Sequence, residues 1–452
     1  MKKILLPLFM CVISLTLVFS GCGFTPLKNS PTDKATTIVY GSALSYDNYI
    51  YYANAFADSG SLVAGDNKKG KVKETAINRI ALENGEVDYD DETSLPEGVE
   101  NAVSKIAGFK SAYMFSVGDY IYFSSPSTHK DDQKQTTFSY NSYFRVKTDG
   151  SNYKEFYTSA NAITQQSAIT IDGTTYLLVL DGSNLKRFTL GSEISETTLA
   201  SKVTSAVFPD RAVSNADKFA YYTTDATDED KANSKTGSYL HKVDITNSNN
   251  KTDLNTTPST MSLQEVYNGV LYLTYTDTNT YFARVDGLFN NKVAISAPVD
   301  SATFSNFEVV TASDNREYYV LVGANATYAL TDGTTLPSDS NKIVSSAMTL
   351  LFTFEDYVYY SVADTGIYRV SVLDKEPQMI SDLTKFKTES VAFDGNYIYF
   401  FAQLAKQSSS TYYMHRADVS VGEGNHDPKV ELLADVLEED EPNNNDDDNN
   451  DE

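Results

Sequence analysis

The 452-residue sequence predicts an all-β fold, a single β-propeller of four-stranded antiparallel blades. The repeats count to eight blades, with seven as the alternative if a weakly matching repeat is absorbed by its neighbours. Three observations lead there. An aromatic strand centred on a tyrosine recurs eight times between Tyr46 and Val419, and a second short strand follows each copy, opening with a basic residue in seven of them. The central tyrosines are Tyr51, Tyr122, Tyr176, Tyr221, Tyr272, Tyr318, Tyr359 and Tyr399; their later spacings suit a blade of roughly 40 to 50 residues, and the longer early ones mark loop insertions. Finally, strands such as Tyr49-Ile50-Tyr51-Tyr52 are apolar or aromatic on both faces, and a strand of that kind needs cover on both sides. Stacked blades supply it.

Within each repeat the tyrosine strand reads as strand B and the basic strand as strand C. Asp172-Gly173, Asn268-Gly269 and Asp394-Gly395 come just before strand B, while Asn84-Gly85, Asp149-Gly150, Asp286-Gly287 and Asp332-Gly333 follow strand C. Such pairs tolerate the positive φ of tight hairpin turns. Helical periodicity is weak, and only residues 98–108 could hold a short helix. The basic residues Arg79, Arg145, Arg187, Lys242, Arg284, Arg369 and Arg416 occur once per blade. That recurrence points to something every blade needs, pairing with a neighbouring blade's carboxylates or carbonyls, ahead of convergence on a central anion. The tyrosines read in the same way as interface residues. Ring closure is expected to pair residues 37–40 with the last repeat, because free edges would otherwise remain at both ends.

The two ends of the chain differ in kind from the middle. Lys2 and Lys3 precede an apolar run from Ile4 to Phe19, then Ser20-Gly21 and Cys22. This pattern resembles a bacterial lipoprotein signal and implies cleavage before Cys22, a lipid on its thiol, and a mature chain held outside the membrane. The expected division is a signal at 1–21, a lipidated tether at 22–37, the propeller at 38–436 and an acidic disordered tail at 437–452. Both cysteines, Cys11 and Cys22, fall in the leader region, so the mature fold is expected to carry no disulfide. A formal net charge of −25 repels nucleic acid and anionic headgroups alike, which leaves membrane attachment to the lipid.

The segment Tyr143-Phe144-Arg145-Val146-Lys147-Thr148-Asp149-Gly150-Ser151-Asn152, followed by Phe156, resembles the strand C to strand D region of propellers of the low-density-lipoprotein-receptor type. Bacterial surface lipoproteins carry similar repeats, and the likeness extends over nearly all of residues 46–433. It implies a non-catalytic ring that binds a protein or another ligand. The chain departs from the receptor-type repeat in having no tryptophan and eight copies.

Catalytic signatures are sparse. No two glycines stand four apart, which excludes a Gly-x-Ser-x-Gly nucleophile elbow. His129, His241, His415 and His426 lack metal-ligand spacing, and Asp225 to Asp230 lacks the glycine and final glutamate of a calcium loop, so it reads as a solvated loop. No cofactor and no metal are expected. The function expected is therefore that of a monomeric cell-surface lipoprotein that binds or scaffolds an extracellular protein, glycan or envelope polymer, with no nucleic-acid partner. Two alternatives stand: a glycan hydrolase or lyase with carboxylates in the central mouth, since sites assembled from several blades leave no local motif, and an envelope-assembly factor.

Insertions suggest where a partner sits. B to C and D to A connections emerge on one rim of a propeller. Long B to C connections run from Ala53 to Thr75, Ser124 to Tyr140, Thr224 to Gly237 and Ala402 to Ser410, and a long D to A connection runs from Glu86 to Ser111. Repeats eight, one and two are neighbours in a closed ring. The candidate binding residues on that arc are Lys68, Lys69, Lys71, Lys73, Phe109, His129 and Lys130.

Overall fold

A computed structural model describes residues 35–36, 39–46, 48–53, 55–57, 77–83, 85–90, 95–103, 113–125, 142–161, 163–209, 217–296, 304–331, 337–404, 411–419 and 428–434. The signal and acidic-tail segments lie outside these residues, as does nearly all of the tether. Eight antiparallel sheets follow one another along the chain, so the eight-bladed expectation holds. The first has strands A to D at Ala43–Tyr46, Tyr49–Ala53, Ile77–Ala81 and Glu100–Val103, with a further short strand Ala35–Thr36 beside strand A. Strand B of the later blades is Tyr120–Ser125, Thr174–Asp181, Phe219–Asp225, Val270–Thr276, Glu317–Gly323, Tyr357–Val362 and Tyr397–Ala402.

Local chemistry sets the hairpins. Asp172 and Gly173 have φ of +49° and +76°, and Asn268 and Gly269 have +49° and +75°, the doubly left-handed backbone that a two-residue turn between right-twisted strands requires. The short D strand Pro377–Ser381 opens with proline, which is tolerated because an outermost strand has one unpaired edge. Strand A carries an irregularity in register against strand B in blades three to eight, for instance between Leu263 and Glu265.

The core is divided among the blade interfaces. Leu44, Tyr46, Tyr51 and Ile77 of blade one pack with Met114, Ile121, Phe123 and Val146 of blade two. On the opposite face of the same sheet, Ala43, Ile50, Tyr52 and Ile80 pack with Ala392, Tyr399, Phe401 and Met414 of blade eight. Every other consecutive pair of blades has its own apolar cluster. The alternation of a pleated strand thus sends Tyr51 one way and Tyr52 the other, and both are fully buried. The blade eight to blade one cluster closes the ring. Val39 bridges Phe393 through two backbone hydrogen bonds of 3.1 Å, which realises the expected pairing of the early segment with the last repeat. Gly41 bridges Met114, so the same segment reaches strand A of blade two.

Cross-strand register explains the recurring basic residue. Tyr51 lies opposite Arg79, Tyr122 opposite Arg145, Tyr221 opposite Lys242, Tyr272 opposite Arg284, Tyr359 opposite Arg369 and Tyr399 opposite Arg416. The cation then leans diagonally over the aromatic ring two residues earlier on strand B. Arg79 sits 4.4 Å from the Tyr49 ring, Arg145 4.6 Å from Tyr120, Arg369 4.3 Å from Tyr357 and Arg416 4.2 Å from Tyr397.

Several of these groups also reach into the next blade. Arg145 donates from Nη1 to the Gly191 carbonyl at 2.8 Å, Arg187 to the Ile245 carbonyl at 2.6 Å, and the Tyr51 hydroxyl to the Thr148 carbonyl at 2.7 Å. Carboxylate partners come instead from the cation's own blade, Glu100 for Arg79 and Glu431 for Arg416. The expected contact between neighbouring blades is therefore made through carbonyls. Burial pushes the Tyr51 hydroxyl up to about 12, against the lowering effect of Arg79, so it remains a donor.

Three expectations from sequence need correction. Residues 100–103 form strand D of blade one inside the stretch expected to hold a helix, because pairing with Ile77–Ala81 outweighs a weak helical pattern. In blade three Arg187 faces Leu178 and leans over Tyr176 at 5.4 Å, so Tyr176 is the counterpart of Tyr49 and not of Tyr51. In blade six Ala329 holds the place of the basic residue and faces Val320, which packs toward blade seven, so Tyr318 is again the counterpart of Tyr49 and the repeat is centred on Val320.

Two outcomes follow for stability. Removing residues 34–41 deletes the Val39 bridge and should lower the melting temperature by several degrees, whereas an unchanged melt would contradict closure through this segment. Tyr51→Phe removes one buried donor and leaves the Thr148 carbonyl with only the longer 3.4 Å contact from Arg79, so denaturant titration should show a loss of about 1 kcal/mol.

Candidate functional site

The two rims of the ring are built differently. The contacts to Thr148, Gly191 and Ile245 all end on C to D turns, and Tyr46 and Tyr221 donate to Gly118 and Gly269 in A to B turns at 2.9 and 3.1 Å. One rim is thereby sewn blade to blade. The B to C and D to A connections leave from the other rim, and the insertions after Ala57 and Ser125 start there. The stretch expected as a long D to A connection, Glu86 to Ser111, needs correction: it contains strand D at Glu100–Val103, which pairs with strand C, so residues 82–99 form a C to D connection on the sewn rim.

On that second rim the chain crosses from blade one to blade eight. After strand B of blade one, Ala55–Ala57 pairs antiparallel with Thr411, Tyr412 and Tyr413 on strand C of blade eight. The outer strand Val430–Leu432 covers the other half of the same strand C, against His415 to Ala417. The insertion that follows Ala57 therefore starts on the neighbouring blade, beside the end of the insertion preceding Thr411. Lower on the seam the Tyr89 hydroxyl donates to the Leu432 carbonyl at 2.8 Å, Tyr52 donates to the Leu433 carbonyl, and Lys429 bridges Glu86 at 3.0 Å and Glu431 at 3.1 Å. Carboxylates on both sides hold the Lys429 ammonium above its ordinary range. Cys22, Lys68, Lys69, Lys71, Lys73, Phe109, His129 and Lys130 all lie outside the described residues.

Blade three carries a polar knot on this rim. Asp181, at the end of strand B, accepts from Tyr157 on strand D of blade two (Lys154–Thr158), from Ser159 and Asn161 in the connection between blades two and three, and from Lys186. Burial alone would raise its pKa, but the hydrogen bonds outweigh that and hold the carboxyl at about 2. Every member has a partner, which marks the knot as an anchor for the connection.

In blade four the stretch expected to be a solvated loop is a short helix, Asp228–Ala232. Thr227 caps it by accepting from the Asp230 amide, and the Asp230 carboxylate returns to the Thr227 amide, a capping box with aspartate in the third position. Asp230 also accepts from Tyr239 at 2.8 Å, which explains its burial. The connection ends at Gly237, where φ is +106° and an added Cβ would lie 2.5 Å from the Ser259 backbone.

Beside this helix three polar residues on adjacent strands line up. Thr224 is on strand B, His241 on strand C (Ser238–Asp244) and Asp253 on strand D (Lys251–Asp253). The His241 Nε2 lies 2.9 Å from Thr224 Oγ1, and Nδ1 lies 2.8 Å from Asp253 Oδ1. The imidazole stacks on Tyr222, the residue directly opposite, with ring centroids 4.9 Å apart. His415 occupies the matching place in blade eight, opposite Phe400, but it is buried and its Nδ1 is bound by the Tyr413 carbonyl. Burial drives His415 down to about 4, so it stays neutral. The sequence carries no spacing signal for the Thr224, His241 and Asp253 set, because the residues meet only through strand pairing. Among the described residues no three His, Cys, Asp or Glu side chains could hold a metal ion.

No known family matches the chain, and no curated protein matches its sequence. Among solved structures the chain is similar to a puromycin hydrolase at 10% identity and a TM-score of 0.47, over 73% of this chain and 54% of that one. It thus spans about half the length of that enzyme. It is also similar to the Dos1 propeller at 8% identity and a TM-score of 0.47, over 86% of this chain and 94% of that one. A third similarity, at 11% identity and a TM-score of 0.43, is to an oligogalacturonate lyase from Vibrio parahaemolyticus, over 78% of this chain and 99% of that one.

Proposed function

We propose that this chain is a lipid-anchored cell-surface protein that binds an extracellular protein or envelope polymer through the B to C and D to A loops of blades eight, one and two. The observation that carries the reading is the strand Ala55–Ala57 on blade eight, which brings the start of one long insertion beside the end of another at one place on the rim. Blade two, next around the ring, has its own insertion between Ser125 and Ser142. The sewn rim supports the reading in a complementary way. With blades fixed at the A to B and C to D turns, loops on the opposite rim can lengthen at small entropic cost and without disturbing the core. Lys68, Lys69, Lys71 and Lys73 form a basic cluster on an acidic protein, which favours a partner carrying negative or mixed charge. Export rests on the leader pattern ending at Cys22.

Two experiments test the two halves. Crosslinking on intact cells should capture a partner, and joint deletion of residues 66–73 and 128–135 should weaken capture roughly tenfold or more while leaving the melt in place. Undiminished capture by the folded variant would refute the loop assignment. For the anchor, Cys22→Ala should move the protein from the detergent phase to the aqueous phase, and unchanged partitioning would refute lipidation.

A further inference from the structure

We infer that blade four carries an acyl-transfer site in which Thr224 is the nucleophile, His241 its general base and Asp253 the positioning residue, acting on small neutral or cationic esters. The order hydroxyl, imidazole, carboxylate is the one such chemistry needs. With Nδ1–H donated to the Asp253 carboxylate, the Nε2 lone pair faces the Thr224 hydroxyl and can take its proton. Both contacts fall within the range for proton transfer, and stacking on Tyr222 fixes the plane of the ring. Thr224 is itself β-branched and on a paired strand, so few rotamers compete with the aligned one.

The contrast with blade eight separates this arrangement from a requirement of the fold. The same strand position there holds a histidine that is buried and tied to a backbone carbonyl, with Ala402 where blade four has Thr224. Blade architecture therefore accommodates the imidazole without a hydroxyl on one side and a carboxylate on the other. In blade four the Thr224 and His241 side chains are partly exposed, and the Asp253 side chain is 79% exposed, which leaves the set open to a reactant.

In the proposed reaction Thr224 Oγ1 bonds to the acyl carbon as its proton passes to His241 Nε2. The bond to the leaving alcohol then breaks, and that alcohol carries the proton away. Water next attacks the acyl-threonine and gives a proton to Nε2, and the acid departs as Thr224 recovers its hydrogen. The substrate class follows from charge. Asp225 adjoins Thr224, and the helix beyond opens with Asp228, Glu229 and Asp230, so an anionic ester is repelled. This site is independent of the loops proposed to bind a partner, because blade four lies across an eight-bladed ring from blade eight.

The test uses the full mature chain with p-nitrophenyl acetate, following p-nitrophenol release and mapping any acetyl adduct by peptide mass spectrometry. The expected result is an adduct on Thr224. Thr224→Ser should keep turnover, while Thr224→Val, which preserves shape, and His241→Gln should each lose roughly 100-fold or more. Asp253→Asn should lose about tenfold, and Asp253→Glu should recover most of it. Turnover unchanged in a folded Thr224→Val variant, an adduct confined to other residues, or no adduct and no turnover in the unsubstituted protein would overturn the assignment.

Discussion

The central strand of each blade is buried on both of its faces, and most of the molecule can be understood from that constraint. A single sheet cannot cover its own two sides, so each blade depends on the one before and the one after. Tyr51 and Tyr52, adjacent in sequence, belong to different cores, one shared with blade two and the other with blade eight. The ring must close for the first and last blades to have what the others have. In this chain the closing contacts come from whole blades meeting, together with the Val39 bridge and the Ala55–Ala57 strand.

Tyrosine suits this interface because it is large enough to fill the gap between sheets and carries a hydroxyl that can cross it. The hydroxyl of Tyr51 and the guanidinium of Arg145 end on carbonyls that a turn would otherwise leave half satisfied. Three kinds of contact serve the basic residue, in different combinations from blade to blade: the ring two residues earlier on strand B, a neighbour's carbonyl, and a carboxylate or amide on its own strand D. Arg79 combines all three, with Tyr49, Thr148 and Glu100, and is fully buried. A buried guanidinium would be costly without such pairing.

These contacts also give the ring its polarity. They gather on the A to B and C to D turns, while the other rim keeps the long B to C connections and the polar groups of blades three and four. Asp181 and His241 illustrate two uses of that freedom. The first is saturated by four donors and holds a connection in place. The second sits in an open chain of hydroxyl, imidazole and carboxylate that still has access to solvent.

The sequence by itself determined the four-stranded antiparallel blade, the count of eight, the strand B and C assignments and the structural purpose of the basic residues, because each rests on a local pattern repeated many times. Repetition makes a weak local signal readable. It misplaced the centres of repeats three and six, where Tyr176 and Tyr318 sit near the right position and only hairpin register decides between neighbours. It also read residues 225–230 as a loop, since the Asp230 carboxylate that completes the capping box with Thr227 is held by Tyr239, which strand C brings to it. The candidate loops were legible as insertions, yet the meeting of two of them required the crossing of Ala55–Ala57 onto blade eight, a pairing between residues more than 350 positions apart. The alignment of Thr224, His241 and Asp253 was settled in the same way. Their separations in sequence follow no motif, and they come together because three strands pair in one register.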